Sequence, residues 1–279
     1  MCTLSVIAMP RPESGYRVVF NRDESRTRAP ATAPLWRSFP ELGPLHRAIW
    51  PTDTAAGGTW IASSARGMTL CLLNHHPLEP VPLPPASELM SRGLIIPALI
   101  HQPDAAEAVG ELPRLDLWRF APFRLAAIDP WAGRNGEPRI IVVRWDRREL
   151  TLDRHDPAPA CLVSSSLGDH LVQARVELFN RVVPRPNLAS EAARAANRAD
   201  QDDFHAHHWP HSPHTSVLMS RTDAATVSRT VVEVSLDPRE RTGVRVVMRY
   251  TPLPLQAPPA SLQTTRDLDW TQSSASGAD

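Results

Sequence analysis

The order in which β-rich and helix-forming stretches follow one another is what most limits the folds open to this chain. Two β-rich pairs come first, Cys2 to Met9 with Tyr16 to Asn21, and Thr59 to Ser63 with Met68 to Asn74. Helical stretches are expected from Ser87 toward His101 and from Asp104 to Glu111. Strands then run over Phe123 to Asp129, Arg139 to Trp145 and Glu149 to Leu152, the last two joined by a tight turn at Asp146-Arg147-Arg148. A short strand at Leu162 to Ser164 precedes helices through Arg181 and over Asn187 to Phe204. Three strands close the fold: Thr215 to Met219, Arg229 to Leu236 and Val244 to Tyr250. This is hairpin, hairpin, helices, meander, helices, meander. No βαβ rhythm is present, so the pattern reads as antiparallel sheets covered by helices on their outer faces.

Twenty-nine prolines against 12 glycines stiffen the connections. Arg26 to Thr54 reads as a long, proline-punctuated ordered loop and Pro77 to Pro85 as a connector. Pro97 should kink or shift the helix that contains it. Residues 1–252 are read as one domain, and residues 253–279, rich in Pro, Ser and Gln, as a disordered tail.

Composition excludes several function classes. Thirty basic and 30 acidic residues cancel, which disfavours nucleic acid or a charged membrane surface as a partner. All the basic residues are arginines, so Schiff-base, P-loop and Ser-Lys chemistry is absent. Cys2, Cys71 and Cys161 are too few and too scattered for a disulfide framework or a zinc site. The apolar first ten residues lack a basic flank and stop short of a signal peptide. The apolar stretch near Leu94 to Ile100 is far below a membrane span. A cytoplasmic protein without membrane insertion is expected.

The chemistry-bearing residues lie in the first 75 positions. Cys2 follows the initiator Met, and a small second residue favours Met removal. The exposed amine, with a pKa of about 8, would then serve as general base for the thiol of the same residue. Alternatively, Cys2 is simply the first residue of a buried strand. Asn21-Arg22-Asp23-Glu24 ends the strand expected to pair with Cys2, which brings an arginine and a carboxylate beside the thiol; the alternative is a solvated turn. Gly57-Gly58-Thr59-Trp60 either allows a close backbone approach or makes a tight turn. Asn74 either offers an amide to an oxyanion or caps a strand end. His205, His207, His208, His211 and His214 crowd one window. They form either a metal or haem-iron site or a polar loop, and the lack of a completed ligand spacing favours the loop.

Met1-Cys2, Asn21-Arg22-Asp23-Glu24, Ala29-Pro30, Gly57-Gly58-Thr59-Trp60 and Asn74 together resemble the NRDE family, which includes the transport and Golgi organisation (Tango) proteins. That family is similar to the cysteine N-terminal nucleophile hydrolases that cleave penicillin V and conjugated bile salts. The resemblance implies an α+β, four-layer αββα fold. It implies Cys2 as nucleophile, Arg22 and Asp23 as the charged pair beside it, and Asn74 as oxyanion donor. Asn21, Gly58, Thr59, Trp60, Ser165 and His214 are the residues it implies around a substrate. Two positions depart from the family pattern. Ser164-Ser165-Ser166 stands where an Asn after a Ser is usual, and Pro213-His214-Thr215 where an Arg followed by Ser or Thr is usual. The expected activity is hydrolysis of a linear or cyclic amide in a small molecule, with no cofactor and no metal. The alternative the family suggests is a non-catalytic carrier for haem or another hydrophobic metabolite.

Overall fold

The strand pairings of the computed structural model are all antiparallel, and they form two sheets. The structure describes residues 2–9, 14–79, 81–131, 137–155, 159–183 and 191–255. Strands β1 (Cys2–Met9), β2 (Gly15–Ser25), β10 (Ala160–Ser164), β11 (Ala224–Leu236) and β12 (Val244–Pro252) form the first sheet, in the order β10-β1-β2-β11-β12. The second holds β3 (Leu35–Ser38), β4 (Arg47–Trp50), β5 (Ile61–Ser64), β6 (Thr69–Asn74), β7 (Phe123–Asp129), β8 (Arg139–Trp145) and β9 (Leu150–His155), in sequence order.

Side-chain alternation explains how the sheets stack. In β1 and β2, Leu4, Val6, Tyr16, Val18 and Phe20 meet Ile61, Cys71, Leu73, Ala126 and Ile128 of the second sheet in one apolar cluster. Each Val, Leu, Ile and Phe among them contributes about 1.5–3 kcal/mol by leaving water. The Tyr16 hydroxyl crosses this layer and donates to Gly67 O and Thr69 Oγ1, both at 2.6 Å, so its polar end is satisfied. The opposite face of the second sheet packs under α1 (Ile95–Leu99) and α2 (Ala105–Glu111), through Leu70, Leu72, Leu125 and Val143. The outer face of the first sheet packs under α3 (Gln173–Val182) and α4 (Glu191–Ala206), where Ile7 meets Leu178, Phe179 and Phe204. The layers run helix, sheet, sheet, helix: the expected αββα sandwich.

Several expectations change. The Arg26 to Thr54 stretch is not all loop, since it carries β3 and β4 on the edge of the second sheet. β3 pairs with β4 and β4 with β5, and cross-strand contacts brace the first pair, with Arg37 lying 4.3 Å from the Trp50 ring and Arg47 lying 4.6 Å from Trp36. The helix expected from Ser87 is confined to a 3-10 turn at Arg92–Leu94 and α1. Residues 86–88 form a turn, with the Glu88 and Leu89 N–H groups donating to Pro85 O, and Met90 then bridges Phe120. Thr215 to Met219 is a series of turns rather than a strand. Ser216 Oγ donates to Ser212 O at 3.0 Å and accepts from the Trp209 N–H at 2.8 Å, a local side-chain competitor to the ladder. The helix over Asn187 to Phe204 begins at Glu191, and residues 184–190 lie outside those described. Of the tail, residues 256–279 also lie outside the described residues.

Candidate active site

Register places Cys2 at the centre of a row of four residues crossing the first sheet. Cys2 stands opposite Ser164 on one side and Arg22 on the other, and Arg22 stands opposite Ser228. Directly opposed residues share a face, so this row points toward the second sheet, like Leu4 and Phe20. A register shift in β11 between Thr226 and Ser228 bends that strand beside the row. The Asn21-Arg22-Asp23-Glu24 motif is therefore strand throughout and not a turn.

Above the row opens a cavity of 390 Å³, whose walls include Cys2, Arg22, Asp23, Gly58, Thr59, Trp60 and Asn74. The structure thus brings together seven of the ten residues singled out from the sequence. The other three lie elsewhere. Asn21 alternates to the helix-facing side, where its buried amide donates to His205 O at 2.8 Å and Val217 O at 3.1 Å. Ser165 is buried in the turn after β10, its N–H donating to Asp169 Oδ1 at 2.8 Å. His214 sits in the turns before Ser220, off the cavity wall. Ser164, not Ser165, is the serine beside the nucleophile, and its buried Oγ has no partner among the described residues.

Burial pushes the Cys2 thiol above its ordinary pKa, and the Asp23 carboxylate adds to this. The Asp23 backbone N–H and the Arg22 guanidinium pull the other way. Arg22 is fixed on three sides. Its Nη2 is 2.7 Å from Asp53 Oδ2, Glu24 stands at 3.4 Å, and the guanidinium lies 4.4 Å from the Trp60 ring. Arg28 reaches the same Asp53 oxygen at 2.8 Å. Burial alone would raise the Asp53 carboxyl, but the Arg28 hydrogen bond and the two guanidinium charges hold it below the usual range. Asp23 is held from the helix side, accepting from Thr226 Oγ1 at 2.6 Å and pairing with the fully buried Arg175 at 3.3 Å.

The Gly-Gly-Thr-Trp stretch works through its backbone. A methyl group on Gly58 would lie 2.4 Å from Gly93 C, so only glycine lets the two segments touch. The Thr59 N–H then donates to Gly93 O at 2.9 Å. Trp60 presents a buried indole N–H that has no partner among the described residues. Asn74 ends β6 opposite Phe123.

The histidine window divides. His205 is buried at the end of α4, 2.7 Å from Ser5 Oγ, and burial with nearby arginines holds it well below the ordinary histidine pKa. It belongs to the core rather than to the loop expected from the sequence. His207, His208, His211 and His214 follow in turns. No three metal-ligating side chains come together among the described residues.

Residues 1–169 match the family model described as Transport and Golgi organisation 2, more than half of the chain. The chain belongs to that family. No curated protein sequence matches it. Among solved structures it is similar to the Caenorhabditis elegans ortholog of N-acylethanolamine-hydrolyzing acid amidase, at 14% identity and a TM-score of 0.50, over 82% of this chain and 91% of that one. Penicillin V acylase from Agrobacterium tumefaciens is similar at 14% identity and a TM-score of 0.46, covering 83% of this chain and 79% of that one. A single-residue variant of conjugated bile acid hydrolase from Clostridium perfringens follows at 10% identity and a TM-score of 0.46, over 93% of this chain and 100% of that one. The fold of this family member is that of the N-terminal nucleophile hydrolases. No described helix is long and apolar enough to cross a membrane.

Sequence reasoning gave Glu24 no role of its own and missed Arg28, Asp53 and Arg92 on the cavity wall. Asp53 sits in a proline-rich stretch with no periodic signal, so nothing short of the fold locates it. Ser164 comes opposite Cys2 through a pairing between strands remote in sequence, so its place beside the nucleophile also follows only from the fold. Farther along the chain, Arg221 follows the bridge at Ser220. There the Arg221 guanidinium lies 3.3 Å from Ser166 Oγ, beside the turn after β10.

Proposed function

We propose that this chain is a cysteine-nucleophile hydrolase of a linear or cyclic amide in a small molecule. The single observation that carries the reading is the position of Cys2: first in its strand, opposite Arg22, and opening onto a cavity bounded by Asp23 and Asn74. Removal of Met1 turns the Cys2 nitrogen into an amine of pKa about 8. That amine takes the thiol proton, which matters because burial keeps the thiol protonated near neutrality. Sγ attacks the carbonyl carbon, and the oxyanion accepts from the Asn74 amide. Such a donor accounts for roughly a hundredfold to a thousandfold in rate where it has been removed. The Cys2 ammonium returns its proton to the leaving nitrogen as the C–N bond breaks, leaving a thioester. Water, deprotonated by the same amine, then releases the carboxylic acid.

Arg22 favours the thiolate, Asp23 orients the amine, and the Trp60 indole N–H supplies a further donor to the bound molecule. Gly58 and Thr59 form the backbone wall. Ser164, beside Cys2, gives a buried hydroxyl to the reacting sulfur. The localisation expected with this role is cytoplasmic.

N-terminal sequencing of the purified protein, together with turnover of an amide panel, tests the proposal. Cys2 as first residue and catalytic release of acid support it. Retained Met1 in active protein refutes self-activation by the Cys2 amine. Stoichiometric binding of haem or another apolar metabolite without product would establish the carrier role instead.

A further inference from the structure

Two cavities meet at Arg92. One is the Cys2 cavity; the other, of 470 Å³, shares Arg92 and Ala121 with it. The second is walled in part by Leu78, Leu83 and Leu167, which are 84%, 51% and 44% exposed. These are large apolar side chains facing open space, and covering them with an apolar group is favourable by about 25 cal/mol per Å².

Arg92 owes its position to the glycine contact described above. The approach of Gly58 to Gly93 and the Thr59 hydrogen bond to Gly93 O pin the 3-10 turn that carries Arg92 to the cavity rim. Its Nη1 donates to Pro122 O at 2.8 Å, and no carboxylate among the described residues lies within ion-pair distance. The other guanidinium groups near Cys2 are neutralised, Arg22 and Arg28 by Asp53 and Glu24 together, and Arg175 by Asp23. One half-buried cation is left over at the junction of a polar and an apolar lobe. Burial works against its charged form, so an anion beside it gains more than it would in water. A single planar guanidinium matches a planar monoanion best, which is a carboxylate.

We propose that the site takes N-acylated α-amino acids with apolar side chains. The scissile carbonyl lies at Cys2, the α-carboxylate on Arg92, and the side chain in the lobe of Leu78, Leu83 and Leu167. This rests on the amide-hydrolase reading. The Cys2 Sγ–acyl bond forms as the C–N bond breaks, the free amino acid leaves with the proton on its nitrogen, and water hydrolyses the thioester to the carboxylic acid.

The test uses N-phenylacetyl-leucine, its neutral carboxamide and N-phenylacetyl-glycine as probes. For the unaltered protein, kcat/KM for the leucine acid should exceed that for each of the others by roughly tenfold to a hundredfold. Arg92→Gln should bring the acid-to-amide ratio close to one. Leu78→Ser with Leu83→Ser should bring the leucine-to-glycine ratio close to one while the acid-to-amide preference stays. In parallel, Cys2→Ala protein, which cannot turn over, is titrated calorimetrically with N-phenylacetyl-leucine. Adding Arg92→Gln should weaken that binding roughly tenfold or more, with an unchanged circular dichroism spectrum. Turnover with no preference for the acid, or a preference that survives Arg92→Gln, overturns this proposal and leaves the hydrolase reading intact. Arg92-dependent binding with no turnover of any probe supports the ligand assignment and overturns the hydrolase reading. Neither binding nor turnover overturns the ligand assignment.

Discussion

Replacing Gly58 with alanine should be among the most damaging single-methyl changes in the protein. The added Cβ would meet Gly93 C at 2.4 Å, O at 2.6 Å and Cα at 2.7 Å. All three are backbone atoms, so no side chain can swing away; ordinary contact begins at 3.4 Å, leaving a shortfall of about 1 Å. Overpacking of this kind costs about 1–3 kcal/mol. The displacement also strips the buried Thr59 N–H of Gly93 O, for about 1–3 kcal/mol more. Gly58→Ala should therefore lose roughly 2–6 kcal/mol in a urea-denaturation series and alter the Cys2 cavity, since both segments form its wall. Two neighbours serve as controls. Gly57 has a φ of 70° and nothing within 4 Å of an added methyl, so Gly57→Ala should cost only the left-handed backbone strain of about 1–2 kcal/mol. Gly110 is exposed on α2 with open space around it, so Gly110→Ala should stabilise by about 0.5–1 kcal/mol. A Gly58→Ala protein within about 0.5 kcal/mol of the parent would refute the argument that close approach is what the Gly-Gly pair is for.

Other outcomes follow from the electrostatics. Arg22→Ala removes a cation that lowers the Cys2 thiol pKa, so the midpoint of iodoacetamide alkylation against pH should move upward; an unmoved midpoint would detach Arg22 from the nucleophile. His205 is neutral when buried, whereas the unfolded chain takes up its proton below pH about 6.5. Its folded pKa is depressed, so its contribution to stability is present above that pH and is lost as pH falls, by up to about 1.4 kcal/mol per pH unit. His205→Gln should flatten the decline between about pH 6.5 and 5 in denaturant titrations, and an identical decline in both proteins would contradict this assignment.

The layer order was legible because it depends on segment type alone. Strands β7 and β8 run over the residues expected, as their apolar runs are bounded by Asp129 and Trp145. What escaped were elements whose stability is tertiary. Strands β3 and β4 are four residues each, flanked by prolines, and depend on stacked arginine-tryptophan pairs that no local pattern announces. The candidate site divides in the same way. Cys2 begins one strand and Asn74 ends another, Arg22 stands opposite Cys2 in the same hairpin, and the three line one cavity. Asn21 was misplaced by one alternation, which in a strand puts it on the opposite face. Asp53 lies in a loop and Arg92 in a 3-10 turn, placed by contacts distant in sequence such as Gly58–Gly93, Arg92 with Pro122 O, and Asp53 with Arg22 and Arg28. Periodicity carries no information about such residues.

Intact-mass analysis of the purified protein during reaction with an activated acyl amide tests the claim about Cys2 most directly. The account predicts a chain beginning at Cys2, transient gain of one acyl group located by peptide mapping on Cys2, and its release as carboxylic acid. Cys2→Ala protein should gain none. Acylation of another residue, or release of acid from Cys2→Ala protein at the parental rate, would contradict it.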